Sequence, residues 1–321
     1  MKNKADTQHI AYQTRHFSLA LATSALTAAD RAQLEQHSGL TIAQLTALEI
    51  EVLASFPANA VETAPTSTAT LAPQTAATNI VTSSNAKTDA DADMVASVSV
   101  NSSRAVIDAE DRRHAQQFNA HRRAKASVDA KPRLYLSYFI QQNLLANTID
   151  RAELTQAVGW QAWQEQQVAF RDYLWEQTCL ECFIGGASSD YVEINANPAG
   201  AYALYHFTGY RQPATMPPPP LSNHSHLNGD SRPLGDQQRA SIDWQADMLQ
   251  SFTTEASSYP LAEALSRHFS LELAQLPTTL LPLSQLHPCV ILMLGDLPLY
   301  FAPKHAQPPD FHNRAYWTAL S

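Results

Sequence analysis

The residues best equipped for chemistry lie between positions 173 and 211. In a strand, alternate side chains share a face. Cys179, Glu181 and Phe183 therefore fall together, joined by Trp175 and Gln177 if the strand reaches that far, while Thr178, Leu180, Cys182 and Ile184 take the core-facing side. A second strand puts Tyr191, Glu193, Asn195 and Asn197 opposite Val192 and Ile194, and a third separates Tyr202, Leu204 and His206 from Ala203, Tyr205 and Phe207. Taken together, Trp175, Glu181, Glu193, Asn195, Tyr202 and His206 are expected to form a polar sheet face that carries aromatic rings. Such a face suits a sugar, because a ring stacks on the apolar side of a pyranose while carboxylates and amides bind its hydroxyls in fixed directions. The plainer alternative is an ordinary face, solvated or loop-covered, whose polar groups make only structural hydrogen bonds. Glu181 and Glu193 are also a candidate acid pair for glycoside hydrolysis, since adjacent strands can bring two carboxyls to a suitable separation.

Other constellations are weaker. Cys179-Leu-Glu-Cys182 has the spacing of a zinc knuckle, but no second pair follows, and residues three apart on a strand face opposite ways. Two small buried thiols are expected instead. His206, His305 and His312 are possible haem or metal ligands, yet no Met or His stands at a recognisable axial spacing, so no cofactor is expected. His224 and His226 sit in a polar loop. The basic run Arg112, Arg113, Arg122, Arg123, Lys125 and Lys131 has Phe118 as its lone interleaved aromatic and reads as a solvated helix rather than a nucleic-acid surface. Asp310 and His312 follow Pro308-Pro309, a stiff lead-in. They are read as groups that bond backbone and lock the C-terminal strand, with the rim of the ligand face as the alternative.

The elements that must position these residues are short strands. They are expected at 48–52, 134–140, 178–184, 191–197, 202–208, 269–273, 289–294 and 297–301, the last two joined by a Gly295-Asp296 hairpin. Ile42, Leu45, Leu48 and Val52 also have helical spacing, which leaves a helix open there. Thr27–His37 carries a Thr27…Asp30 capping box, and Ala152–Val168 is weakly amphipathic. Many strands without βαβ alternation point to an all-β sandwich of jelly-roll or immunoglobulin-like type with few short helices. Residues 1–56 supply an N-terminal helix and first strand, and 132–321 the main body. Residues 57–131, rich in Ala, Thr, Ser and Pro, read as a low-complexity, disordered insertion. A Pro-rich surface loop is expected at 213–239.

Composition bounds the class. The chain has 321 residues, 45% hydrophobic and 16% charged, with net charge −9. An acidic chain does not attract nucleic acid or anionic lipid as a whole, and no apolar run approaches the ~20 residues that span a bilayer. Phe17–Ala29 imitates a signal peptide poorly, because Asp6, Gln8, His9, Gln13 and Arg15 make its leader polar. Three cysteines do not make a disulfide framework, and a cytoplasmic protein with reduced thiols is expected.

Two segments carry a family resemblance. Leu174-Trp-Glu-Gln-Thr-Cys-Leu-Glu-Cys-Phe-Ile184 resembles the Leu-Trp-x-x-Thr-Cys-Phe-Glu-x-Phe signature of bacterial DOMON-like proteins, and Tyr191–Gly200 resembles their Tyr-x-Glu-Phe-Asn-x-x-Pro-x-Gly strand and turn. Tyr205–Arg211 continues the likeness, and Pro308-Pro-Asp-Phe-His312 resembles the family's closing motif. Agreement is dense over 173–211 and 289–317, while 57–131 and 213–239 depart from the family pattern. The resemblance implies a β-sandwich related to family 9 carbohydrate-binding modules and non-catalytic binding of a small ligand, sugar first. It places Trp175 and Glu181 foremost; from charge and hydropathy, neither nucleic acid nor membrane is expected as partner. A carbohydrate-active enzyme using Glu181 and Glu193, or a haem-binding redox relative, are the alternatives.

Overall fold

The computed structural model describes residues 10–38, 40–61, 131–142, 151–222, 239–245 and 264–320. They belong to one compact unit drawn from residues 1–62 and 130–321. The disordered insertion expected at 57–131 lies almost wholly outside the described residues, as does 223–238 of the Pro-rich loop. Eleven strands occur among the described residues: β1 (Tyr12–Leu21), β2 (Leu48–Pro57), β3 (Arg133–Gln142), β4 (Cys179–Gly185), β5 (Tyr191–Ala196), β6 (Tyr202–Phe207), β7 (Ile242–Trp244), β8 (Leu265–Glu272), β9 (Gln285–Leu294), β10 (Leu297–Ala302) and β11 (Thr318–Ala319). The helices are short: α1 (Ala28–Ser38), α2 (Ile42–Thr46) and α3 (Arg151–Ala157).

The strands form two antiparallel sheets, in the orders β7-β8-β3-β2-β1 and β10-β9-β4-β5-β6, with β11 beside β9. Alternation decides what faces inward. Ile50, Val52, Ala54 and Phe56 of β2 and Leu134, Leu136, Tyr138 and Ile140 of β3 share one core with Leu180, Cys182 and Ile184 of β4 and Val192 and Ile194 of β5. Burial of this apolar surface is the main favourable term, at roughly 25 cal/mol per Å². Across that core the Tyr138 hydroxyl donates to the Glu181 carbonyl at 2.6 Å.

The sandwich is nearly closed on both sides. β1 pairs with β2 from Tyr12 to Leu19, then hands Ala20 and Leu21 to β10, opposite Ala302 and Phe301. On the other side Leu221 N–H donates to Leu204 O and Ala240 N–H to Leu221 O, both at 2.8 Å, so residues 219–221 run along the edge of β6 and 239–240 run along 221–222 in turn. The Trp244 indole N–H adds a bond to Gly200 O at 2.8 Å. These contacts occupy part of each edge, where an open strand could otherwise pair with another chain.

The all-β class holds, and several elements differ from expectation. β1 was not anticipated, because Phe17 and Leu19 are its fully buried members and the remaining residues read as a polar leader. At 42–52 both readings apply in turn: α2 ends at Thr46 and β2 begins at Leu48. The helix expected over 152–168 stops at Ala157, where Gly159 takes a left-handed φ of 58° and turns the chain. The Pro-rich stretch is not wholly a surface loop: Leu221 is buried in the core.

Candidate functional site

The outward face of the second sheet holds the chemistry. Pairing places Glu181 of β4 opposite Asn195 of β5 and Cys289 of β9, and Glu193 of β5 opposite Phe183 of β4 and Tyr205 of β6. Glu181 and Glu193 are thus diagonal cross-strand neighbours, a relation that spans ~7–8 Å between backbones. This face is covered. Leu174, Phe311 and Trp317 pack over Cys179, Phe183, Tyr191, Tyr205 and Cys289 as a second apolar cluster, and Glu181 and Glu193 are only 2% and 5% exposed.

Burial in such a place favours the neutral form of a carboxyl. Glu193 Oε1 accepts from Asn195 Nδ2 at 2.7 Å, and Oε2 lies 3.7 Å from His312 Nε2. Glu181 Oε1 has no hydrogen-bond partner. Burial, which strips water from the ionised form, pushes the Glu193 carboxyl up to about 7, despite the opposing Asn195 bond and Arg211 charge. Burial and then the Glu193 charge hold Glu181 well above the usual carboxylate range. His312 does not neutralise the pair. Burial and then Arg211 lower it to about 4, and its Nδ1 sits 2.7 Å from the Tyr191 hydroxyl.

Around the pair stand aromatic and ionic groups. Trp175 lies outside β4, in a one-turn 3-10 helix (Leu174–Glu176) entered through Tyr173 at φ 62°. The strand therefore does not extend to it. The chain bends, and the half-buried indole packs on Tyr205, with centroids 5.8 Å apart. The Tyr205 hydroxyl donates to Asp172 at 2.9 Å, and Tyr173, 38% exposed, edges against the indole at 5.3 Å. Beyond Tyr191, Asp310 accepts from Tyr210 at 2.6 Å, from Arg211 at 2.9 Å and from the His312 backbone at 3.1 Å. Asp310 and His312 thus bind mainly to side chains rather than backbone, and His312 reaches Glu193 on the outward face.

Of the expected site residues, the structure brings together Glu181, Glu193 and Asn195, with Trp175 joined through Tyr205. It does not bring Tyr202 or His206. The face residues of β6 are Ala203, Tyr205 and Phe207, because Glu193 pairs with Tyr205 and Asn195 with Ala203. Tyr202 packs against the main core, and His206 Nε2 lies 3.5 Å from Asp190 on the other side of the sheet. Alternation within a strand states which residues share a face, but not which face meets the neighbour. Leu204, paired with Ile194 in the core, decides it and was the available signal. His287 of β9 was also missed. It is 1% exposed on the same outward face, stacked at 13° on Trp317, with both ring nitrogens unpartnered.

Cys179 belongs to the outward cluster and Cys182 to the core, so the two thiols diverge. All three cysteines are buried and unbridged. The His305 Nε2–H donates to Ala20 O at 2.6 Å. A depression of about 730 Å³ beside α3, lined by Arg151, Thr155, Gln156, Trp160 and Gln161, shares no residue with the acid face. No family model, curated protein or solved structure matches this chain. Among the described residues no helix is long and apolar enough to cross a membrane.

Proposed function

We propose that the chain is a cytoplasmic, non-catalytic binding protein that takes a small polyhydroxylated ligand, a carbohydrate first, on the outward face of its second sheet. The observation that carries this reading is the buried diagonal pair Glu181 and Glu193, one oxygen of it unpartnered, next to the aromatic turn of Tyr173 and Trp175. Buried polar groups are nearly always hydrogen-bonded, and perturbed carboxyls gather at functional sites. Neutral carboxyls both donate and accept, as does the Asn195 amide, which suits hydroxyl groups. The likeness of residues 173–211 to DOMON-like proteins points the same way. Ligand entry requires the covering turn to move, and Trp175, half-buried in a single 3-10 turn, is placed to do so.

The test is a thermal-shift screen of monosaccharides and disaccharides, followed by Trp175→Ala. The expected outcome is lost binding with a stability change of about 1–2 kcal/mol, below the ~3–5 kcal/mol of a fully buried aromatic. A larger loss, with no ligand found for the unaltered chain, would remove the residue from the site and leave the binding reading without support. Hydrolysis is a second reading: Glu181 and Glu193 lie diagonally on adjacent strands, and burial raises Glu193 to about 7, which suits a proton donor beside its partner Glu181. Glycoside turnover that disappears in Glu181→Gln would establish it instead.

A further inference from the structure

The acid pair lacks a close cation. The groups that act on Glu181 are its burial, the Glu193 charge and the Cys179 thiol. Those facing the pair from packed elements are Cys179 and Tyr191 on its own strands, Tyr205 of β6, Cys289 of β9, Tyr300 of β10 and His312 of the C-terminal segment. None is a cation near neutral pH. Arg211 acts on Glu193 from farther out, and its guanidinium is engaged by Asp310 at 2.9 Å. A second polar group on this face is also unsatisfied by the chain: His287, diagonal to Glu181 across β4 and β9, whose neutral ring offers one acceptor and one donor.

Resting on the ligand reading above, we infer that the ligand carries a protonated amine, an amino sugar in the carbohydrate class, whose ammonium is held between Glu181 and Glu193. The geometry matches the chemistry. An ammonium has three donors, and Glu181 Oε1 and Glu193 Oε2 are acceptors on adjacent strands without a close donor of their own. The Trp175 and Tyr205 rings supply an electron-rich flank, and cation–π attraction strengthens where water is excluded. The same tendency shows nearby, where the Arg239 guanidinium lies 4.5 Å from the Phe170 ring centre. No covalent step is involved. As the ammonium enters, a carboxyl proton leaves for solvent, so charge in the site is conserved.

The test is calorimetric titration of the full chain with glucosamine and with glucose, each in two buffers of different ionisation enthalpy, repeated on Glu181→Gln. The expected result is glucosamine bound at least ten-fold more tightly than glucose with net proton release, and a ratio near one in the variant. Glucose bound as tightly as glucosamine, or glucosamine bound without proton release, overturns the inference and leaves the ligand reading standing. Neither sugar binding overturns both. The proton count on the unaltered chain decides the matter even if Glu181→Gln fails to fold.

Discussion

Glu193 shows how one side chain joins stability to the site. Its native carboxyl is raised to about 7 from an ordinary 4.5, with burial as the cause. A group whose proton is held more tightly in the fold adds stability that is complete below the ordinary value. That stability is lost as pH rises through the native one. The buried His287 and His312 run the opposite way. They are lowered to about 3 and about 4, so their contribution is complete above 6.5 and is lost as pH falls. Between pH 4.5 and 6.5 the two trends oppose each other. Above pH 6.5 the acid trend alone remains, so Glu193→Gln should gain on the parent as pH rises from 5 to 8, by on the order of 3 kcal/mol at 1.36 kcal/mol per unit. Urea melts at pH 5 and pH 8 check this, and a stability difference independent of pH would refute it. Within single strands the site was legible, because parity alone groups Glu181 with Cys179 and Glu193 with Asn195. Which face of β6 joins it was harder to read: parity leaves two choices, and the core position of Leu204 opposite Ile194 selects Tyr205 over Tyr202 and His206.

At the scale of elements, local chemistry was readable and long-range pairing was not. The Thr27 box is as expected: Asp30 N–H donates to the Thr27 hydroxyl at 3.1 Å, and Thr27 N–H to Asp30 at 2.7 Å. Gly295-Asp296 joins β9 to β10 as a two-residue turn, with Leu297 opposite Leu294. The three-residue β7 and two-residue β11 owe their existence to partners far along the chain, β8 and β9, and leave no periodicity to read. The loop after β4 shows a further long-range dependence. Arg314 donates to the Gly186 carbonyl at 2.8 Å and to Ser188 O, fastening this loop to the C-terminal segment. A Cβ on Gly186 would lie 2.6 Å from the Leu280 Cα and 2.8 Å from its carbonyl atoms, all backbone. Gly186→Ala should therefore cost about 1–3 kcal/mol, as overpacking does. A denaturant midpoint equal to the parent's would show that the loop yields freely.

The described residues form one sandwich assembled from both sides of the β2–β3 connection. β2 and β3 are antiparallel neighbours, with Ser55 opposite Tyr135, so the chain leaves and re-enters at the same end of the sheet. Closing a loop costs only ~0.6 kcal/mol per doubling of its length. Replacing residues 66–128 with a flexible link of about eight residues should therefore preserve a single cooperative melt, shifted little or slightly upward. An insoluble product, or two transitions in calorimetry, would show that the removed stretch is needed for the fold. The near-closure of the sandwich has a kinetic side as well. β1 must find β10 to join the two sheets, and the Arg15 guanidinium donates to the Leu320 carbonyl 305 positions away. Contacts of such sequence separation form only after the intervening loops have been closed, which slows folding. Phe17 and Leu19, buried on β1, therefore reach their final setting only once β10 and the segment around Leu320 are in place. Closure of the sandwich through β1 is accordingly a late step of folding, after the β1–β2 pair has formed.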